Sequence, residues 1–167
     1  MFETVSVIGG DLRQLTLAKL MRKEGYHVFL YGFDKDIQTD DIDTESDIDF
    51  VLGSDIIILP VPVTFDGSTI NSPYAKNAMT VDELIDGINP SAIVFGGQIQ
   101  PNLAKAFENN SIAYRDYLKR EELSIKNAIP TALTIQRKTN GITKTVMPFT
   151  ILFSLQFTSI RFISTAY

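Results

Sequence analysis

The sequence predicts an α/β fold built on a parallel sheet of about five strands, with helices on both faces. Three observations predict it. Short β-branched runs alternate with helical patterns, as in strand–helix–strand units. Those runs are mainly apolar, which fits strands covered on both sides. Glycine pairs follow two of the runs, Gly9-Gly10 and Gly96-Gly97, where a strand must turn sharply toward a helix.

The elements follow in order. Residues 4–8 (TVSVI) read as a buried strand. Residues 12–24 read as a helix with Leu12, Leu15, Ala18 (or Lys19) and Leu20 or Met21 near helical spacing, ended by Gly25 at the C′ position. Residues 27–31 (HVFLY) are the second strand, which completes a right-handed crossover unit. Residues 34–49 read as a polar, acidic connection, and 55–59 (DIIIL) as a third strand stopped by Pro60 and Pro62. A long connection, 63–79, carries turn signals at Asp66-Gly67-Ser68 and Asn71-Ser72-Pro73. Thr80 and Glu83 form a capping box for a short helix to about Ile88. Residues 92–95 are a fourth strand and 101–109 a helix with proline in its first turn. Residues 112–115 are a fifth strand and 120–128 a last helix bounded by Pro130. The arrangement is Rossmann-like.

The 167 residues make one domain, or one domain with an appendage. The chain has 20 acidic and 15 basic residues, one histidine and no cysteine. A net charge of -5 argues against a nucleic-acid partner, which needs a basic face for phosphates. Absent cysteines exclude thiolate metal sites, disulfides and cysteine nucleophiles, and a single histidine excludes a multi-histidine metal site. No metal is expected. The first residues lack a basic region followed by a long apolar one, so the expectation is no secretory signal and a cytoplasmic protein. All acids lie in 1–130, where 20 of them face 11 basic residues; 131–167 holds four basic residues and no acid. Residues 145–160 are uncharged, but this stretch is shorter than the roughly 20 residues a membrane span needs, and no membrane partner is expected.

Gly9-Gly10-Asp11-Leu12-Arg13-Gln14 sits at the first strand-to-helix turn, where doubly wound sheets bind ligands. The dinucleotide fingerprint G-x-G-x-x-G is degraded here. Gln14 stands near its third glycine, and Asp11 places an anion at the helix N-terminus, where it would repel a pyrophosphate. One reading is a tight turn with Asp11 as N-cap. The other is that Arg13 and backbone N–H groups bind a carboxylate. Asp34 ends the second strand where a dinucleotide domain keeps its ribose-binding acid, but an aspartate there also suits a turn. Asp41, Asp43, Glu45, Asp47 and Asp49 alternate, yet Ser46 and Leu52 stand where a calcium loop needs Gly and Glu, so they read as a solvated loop. His27 reads as structural. Gly96-Gly97-Gln98 is either a tight turn or a close backbone approach to a ligand. In a parallel sheet the two glycine pairs and Pro60 border one crevice. The substrate-binding candidates are therefore Gly9, Gly10, Asp11, Arg13, Gln14, Pro60, Gly96, Gly97 and Gln98; no catalytic residue is assigned.

Four segments appear in this order: Val7-Ile8-Gly9-Gly10-Asp11 with Arg13-Gln14; Tyr31-Gly32-Phe33-Asp34; Ile58-Leu59-Pro60-Val61; and Asn127-Ala128-Ile129-Pro130-Thr131-Ala132. Together they resemble the N-terminal domain of the dipicolinate synthase A subunit over about residues 3–132. The resemblance implies an NADP-linked oxidation of a dihydrodipicolinate-type lysine-pathway intermediate to dipicolinate during sporulation. It implies a small dicarboxylate substrate, and its implied partner is a flavoprotein-like B subunit. It also implies a two-domain architecture like that of the hydroxyacid dehydrogenases, with NADP held by a C-terminal domain.

The likeness ends after Ala132. Residues 133–167 contain no G-x-G-x-x-G, and their lack of acids suggests an out-of-frame or foreign ending; a native, divergent ending is the alternative. The domains expected are 1–132, Rossmann-like, and 133–167, an atypical tail in which Phe149, Phe153, Phe157 and Phe162 fall near one stripe. No cofactor is expected in this chain, and a truncated subunit would not be active alone. The alternative is a stand-alone module that binds a small carboxylate or a partner subunit without catalysis. A minimal nucleotide-binding oxidoreductase is the third possibility.

Overall fold

The computed structural model describes residues 4–119 apart from 36, 38, 40 and 41. The chain forms two compact units, Met1–Asp116 and Tyr117–Tyr167. Of the second, only the single 3-10 turn Tyr117–Lys119 lies among the described residues. The helix expected at 120–128, the Asn127-to-Ala132 motif, the boundary at 132 and the tail lie outside them.

The first unit holds β1 (Thr4–Ile8), α1 (Leu12–Lys23), β2 (His27–Tyr31), β3 (Asp43–Thr44), α2 (Ile48–Leu52), β4 (Ile56–Ile58), α3 (Val81–Gly87), β5 (Ile93–Gly96), α4 (Pro101–Asn109) and β6 (Ala113–Asp116). The strands form one sheet in the order β3-β2-β1-β4-β5-β6, and every neighbouring pair is parallel. This is the doubly wound order, and the direction of winding reverses between β1 and β4. The fold class read from the sequence holds, with a short sixth strand added.

Residues alternate across the sheet, so neighbours along a strand serve opposite faces. Ile8, Ile57, Leu59 and Val94 pack into one cluster with Val51 and Leu52 of α2, Leu84 of α3 and Leu103 and Phe107 of α4. Val7, just before Ile8, and Ile58, between Ile57 and Leu59, are equally buried but outside that cluster, as are Leu17, Ala18 and Met21 of α1. Helices therefore cover both faces. At the amino edge, Thr4 and Asp55 exchange hydrogen bonds, and the hydroxyls of Ser6 and Ser54 meet at 2.7 Å in full burial.

Two local expectations are corrected. The buried face of α1 is Gln14, Leu15, Leu17, Ala18 and Met21. Leu12 is 48% exposed, and Leu20 lies off this face, because a stripe running 14, 17–18, 21 leaves positions 12 and 20 to its flanks. Residues 34–49 are not merely a connection. They supply β3 and the first turn of α2, whose N-cap Asp47 accepts from the N–H groups of Asp49 and Phe50. The acids hid a cap followed by the apolar trio Ile48, Val51 and Leu52.

Helix ends follow their sequence signals. Gly25, at φ +96°, closes α1 in a Schellman motif, with Tyr26 N–H donating to Met21 O and Gly25 N–H to Arg22 O. The Thr80–Glu83 capping box starts α3 as expected. Among the described residues no helix is long and apolar enough to cross a membrane.

Candidate functional site

The crevice outside the carboxyl ends of β1 and β4 is where a doubly wound sheet meets its ligand. Gly9 (φ +65°) and Gly10 (φ +89°) make the turn from β1 into α1 in backbone conformations that favour glycine. Asp11 caps α1, one of the two readings its sequence allowed. Its Oδ1 accepts from Arg13 N–H at 2.9 Å, and the Arg13 guanidinium grips both carboxylate oxygens at 2.9–3.0 Å. Burial pushes the Asp11 carboxyl up, but the hydrogen bonds and charge of Arg13 outweigh it, and its pKa lies below the ordinary value. Arg13 Nη2 also donates to Val61 O at 3.3 Å, which ties the N-terminus of α1 to the segment after β4.

That segment returns to cover the glycine turn. Gly9 N–H donates to Tyr31 O and Gly10 N–H to Asn71 O, both at 2.8 Å. Both N–H groups of the glycine pair thus bond within the chain. A Cβ on Gly9 would run into the Ser72 side chain and Asn71 O. Asn71 is itself held by Val63 O, which accepts its N–H, and by Pro62 O, which accepts its Nδ2. The same segment runs on to the end of β2. The N–H groups of Asp34 and Lys35 both donate to Tyr74 O, Lys76 N–H donates to Asp34 Oδ2, and Phe33 stacks on Tyr74. Asp34, at the ribose-acid position, thus fastens segment 71–76.

Segment 71–76 therefore lies over the ends of β1 and β2, along the path a dinucleotide takes in this fold. The residues do not fit such a cofactor. Asn71 O holds the Gly10 donor, and Asp11 puts a carboxylate at the helix N-terminus. Gln14, 2% exposed, packs against Gly10 with its Oε1 unpartnered.

The other half of the crevice is open. Gly97 N–H donates to Pro60 O, and Val63 N–H donates to Gly97 O, so the ends of β4 and β5 meet as the sequence leads one to expect. A Cβ on Gly96 would come within 2.8 Å of the Val63 side chain, which would have to shift to admit it. A cleft of about 460 Å³ lies beside them, lined by Pro62, Thr64, Phe65, Gln98, Ile99 and Gln100. The Val61–Pro62 peptide bond is cis. Of the sequence-predicted site residues, only Gln98 lines this cleft. Pro60 and Gly97 are hydrogen-bonded to each other next to it without lining it, and the 9–14 turn lies under segment 71–76 and beside Val61.

Both walls are braced. Asp66 accepts four hydrogen bonds, from Thr69 N–H, Ser68 N–H and the hydroxyls of Thr69 and Thr64, which hold its carboxyl far below the usual range. Gln100 Nε2 donates to Thr64 O across the cleft, and Ile99 N–H to Asp116 Oδ2. On this turn Phe65 stands 76% exposed.

Gln98 adopts φ +56°, a left-handed backbone that costs a non-glycine residue about 1–2 kcal/mol. Ser111 does the same at φ +57°, but it occupies C′ of a Schellman motif after α4, with Ile112 N–H donating to Phe107 O. No helix ends at Gln98. Sequence reasoning missed Thr64, Phe65 and Gln100. Their signals were the Thr64-x-Asp66 turn and an aromatic residue within a Pro- and Gly-rich connection.

Fold and crevice together define a Rossmann-like domain whose glycine turn is covered by its own chain and whose open cleft lies over β4 and β5. A family model for the N-terminal domain of the dipicolinate synthase A subunit matches residues 4–118. The chain belongs to this family. The crystal structure of the dipicolinate synthase A chain from Bacillus subtilis matches with a TM-score of 0.70 at 23% identity, covering 87% of this chain and 50% of that one. The corresponding A subunit from Bacillus halodurans matches with a TM-score of 0.68 at 22% identity, covering 86% and 50%. The chain thus spans about half the length of these structures. No curated protein sequence matches it.

Proposed function

We propose that this domain is the substrate-side half of a dipicolinate synthase A subunit. In that reading it receives a dihydrodipicolinate-type dicarboxylate for NADP-linked oxidation to dipicolinate in sporulation, in the cytoplasm, partnered by a B subunit. The nicotinamide cofactor supplies hydride acceptance from a separate domain, and this chain alone does not carry out the oxidation. The observation that supports this most is the Gly10–Asn71 hydrogen bond under segment 71–76, because it removes the donor a pyrophosphate would need. Family membership supports the substrate class.

Calorimetric titration of the full chain with NADPH and, separately, pyridine-2,6-dicarboxylate tests the reading. Binding of the dicarboxylate without binding of NADPH is the expected outcome. NADPH binding with no dicarboxylate binding would replace it with a nucleotide-binding role.

A further inference from the structure

The switch-point crevice has two halves with different fates. Over β1 and β2 it is closed by segment 71–76. Over β4 and β5 it is the cleft lined by Pro62, Thr64, Phe65, Gln98, Ile99 and Gln100. We propose that this cleft is the seat of a planar ring carboxylate, with the Phe65 ring stacking on the ligand's face and the Gln98 amide donating to its carboxylate. The assignment rests on the substrate-side reading above and goes further by naming the residues that hold the ring.

Three observations carry it. Phe65 is held out of the core by a turn that four hydrogen bonds to Asp66 make rigid, so its exposure is built in rather than the result of a loose loop. An exposed aromatic ring carried on a braced backbone turn can stack on a flat ring at the cost of ordering only its own side chain. Gln98 holds a left-handed backbone that no helix end explains, unlike Ser111, and such strain persists where the surroundings impose a particular side-chain direction. The remaining lining groups are a hydroxyl, a second amide and two apolar side chains, and the Asp66 and Asp116 carboxylates behind them are bonded to wall donors rather than lining the cleft. A neutral amide edge beside an aromatic face suits a flat ring bearing carboxylates, since amide donors bind carboxylate oxygens by charge-assisted hydrogen bonds.

The test compares pyridine-2,6-dicarboxylate with glutarate, a dicarboxylate without a ring, by calorimetry on the full chain and three variants. Phe65→Ala should weaken the pyridine ligand roughly 3- to 10-fold and leave glutarate unchanged, because only a ring is stacked. Gln98→Gly should raise the thermal midpoint by relieving the backbone and yet weaken the pyridine ligand. Ser111→Gly should raise the midpoint with no effect on binding. Stability gained and affinity lost together at position 98 separates a ligand role from a structural one. Pyridine-2,6-dicarboxylate binding that neither Phe65→Ala nor Gln98→Gly alters would overturn the cleft assignment while leaving the substrate-side reading standing. No dicarboxylate binding by the unsubstituted chain would remove both.

Discussion

The carbonyl of Asn71 accepts the N–H of Gly10 at 2.8 Å, and this bond closes the first glycine turn of the sheet from within. In a doubly wound fold that N–H faces a ligand phosphate. Here it faces the protein's own backbone, with Ser72 packed on Gly9 and Tyr74 holding the end of β2. The crevice is thereby shifted toward β4 and β5.

Substitution at Gly9 should be far costlier than at Gly25, although both have positive φ. A Cβ at Gly25 meets nothing within 4 Å, whereas one at Gly9 collides with Ser72 and Asn71 O. Gly25→Ala should cost about 1 kcal/mol from backbone strain alone. Gly9→Ala should cost about 3 kcal/mol or more, since it adds a clash that requires segment 71–76 to move. Urea denaturation of the two variants checks this; equal losses would mean segment 71–76 is not packed on the turn.

Asp11 links stability to pH. Its folded pKa is lowered, so its contribution is present above the unfolded value near 3.8 and is lost as pH falls through the folded one. Asp11→Ala should destabilise by about 1 kcal/mol at pH 7, a cap-sized figure already discounted because the Arg13 pair is partly exposed. The gap between variant and unsubstituted protein should narrow below pH 4. Thermal melts at pH 7 and pH 2.5 measure it, and a gap that widens in acid would contradict the sign.

Ser6 and Ser54 form a buried hydroxyl pair at the amino edge of the sheet, away from the crevice. Ser6→Ala should cost about 1–2 kcal/mol by leaving Ser54 unsatisfied, and adding Ser54→Ala should recover part of it. A double-mutant cycle by denaturation reads the coupling. Strict additivity would show that the two hydroxyls do not depend on each other.

Much of this architecture is legible in the sequence because its signals are local. The apolar strand runs, the Gly25 stop, the Asp11 cap and the Thr80–Glu83 box each declare themselves within a few residues. The misses have two physical causes. In 34–49, acidic side chains masked a cap and an edge strand, since Asp47 at an N-cap and an aspartate in a solvated loop look alike. At the site, the deciding bonds are between segments far apart in sequence. Nothing near Gly10 announces Asn71, and nothing near Gln100 announces Thr64. The left-handed residue after β5 is Gln98 rather than Gly96 or Gly97, which composition alone would not select. Grouping Gly9, Gly10, Pro60, Gly96 and Gly97 at one sheet edge was recoverable; which half of that edge stays open was not.

Segment 71–76 packs on the glycine turn, and the proposed reading is that it takes the place of a dinucleotide there. Titrating NADPH into the full chain while following the backbone amides of Gly9 and Gly10 by NMR tests it most directly. The predicted result is no saturable shift of either amide up to millimolar NADPH. A saturable shift of Gly10 at micromolar NADPH would mean that the Asn71 bond opens for the cofactor, and would contradict it.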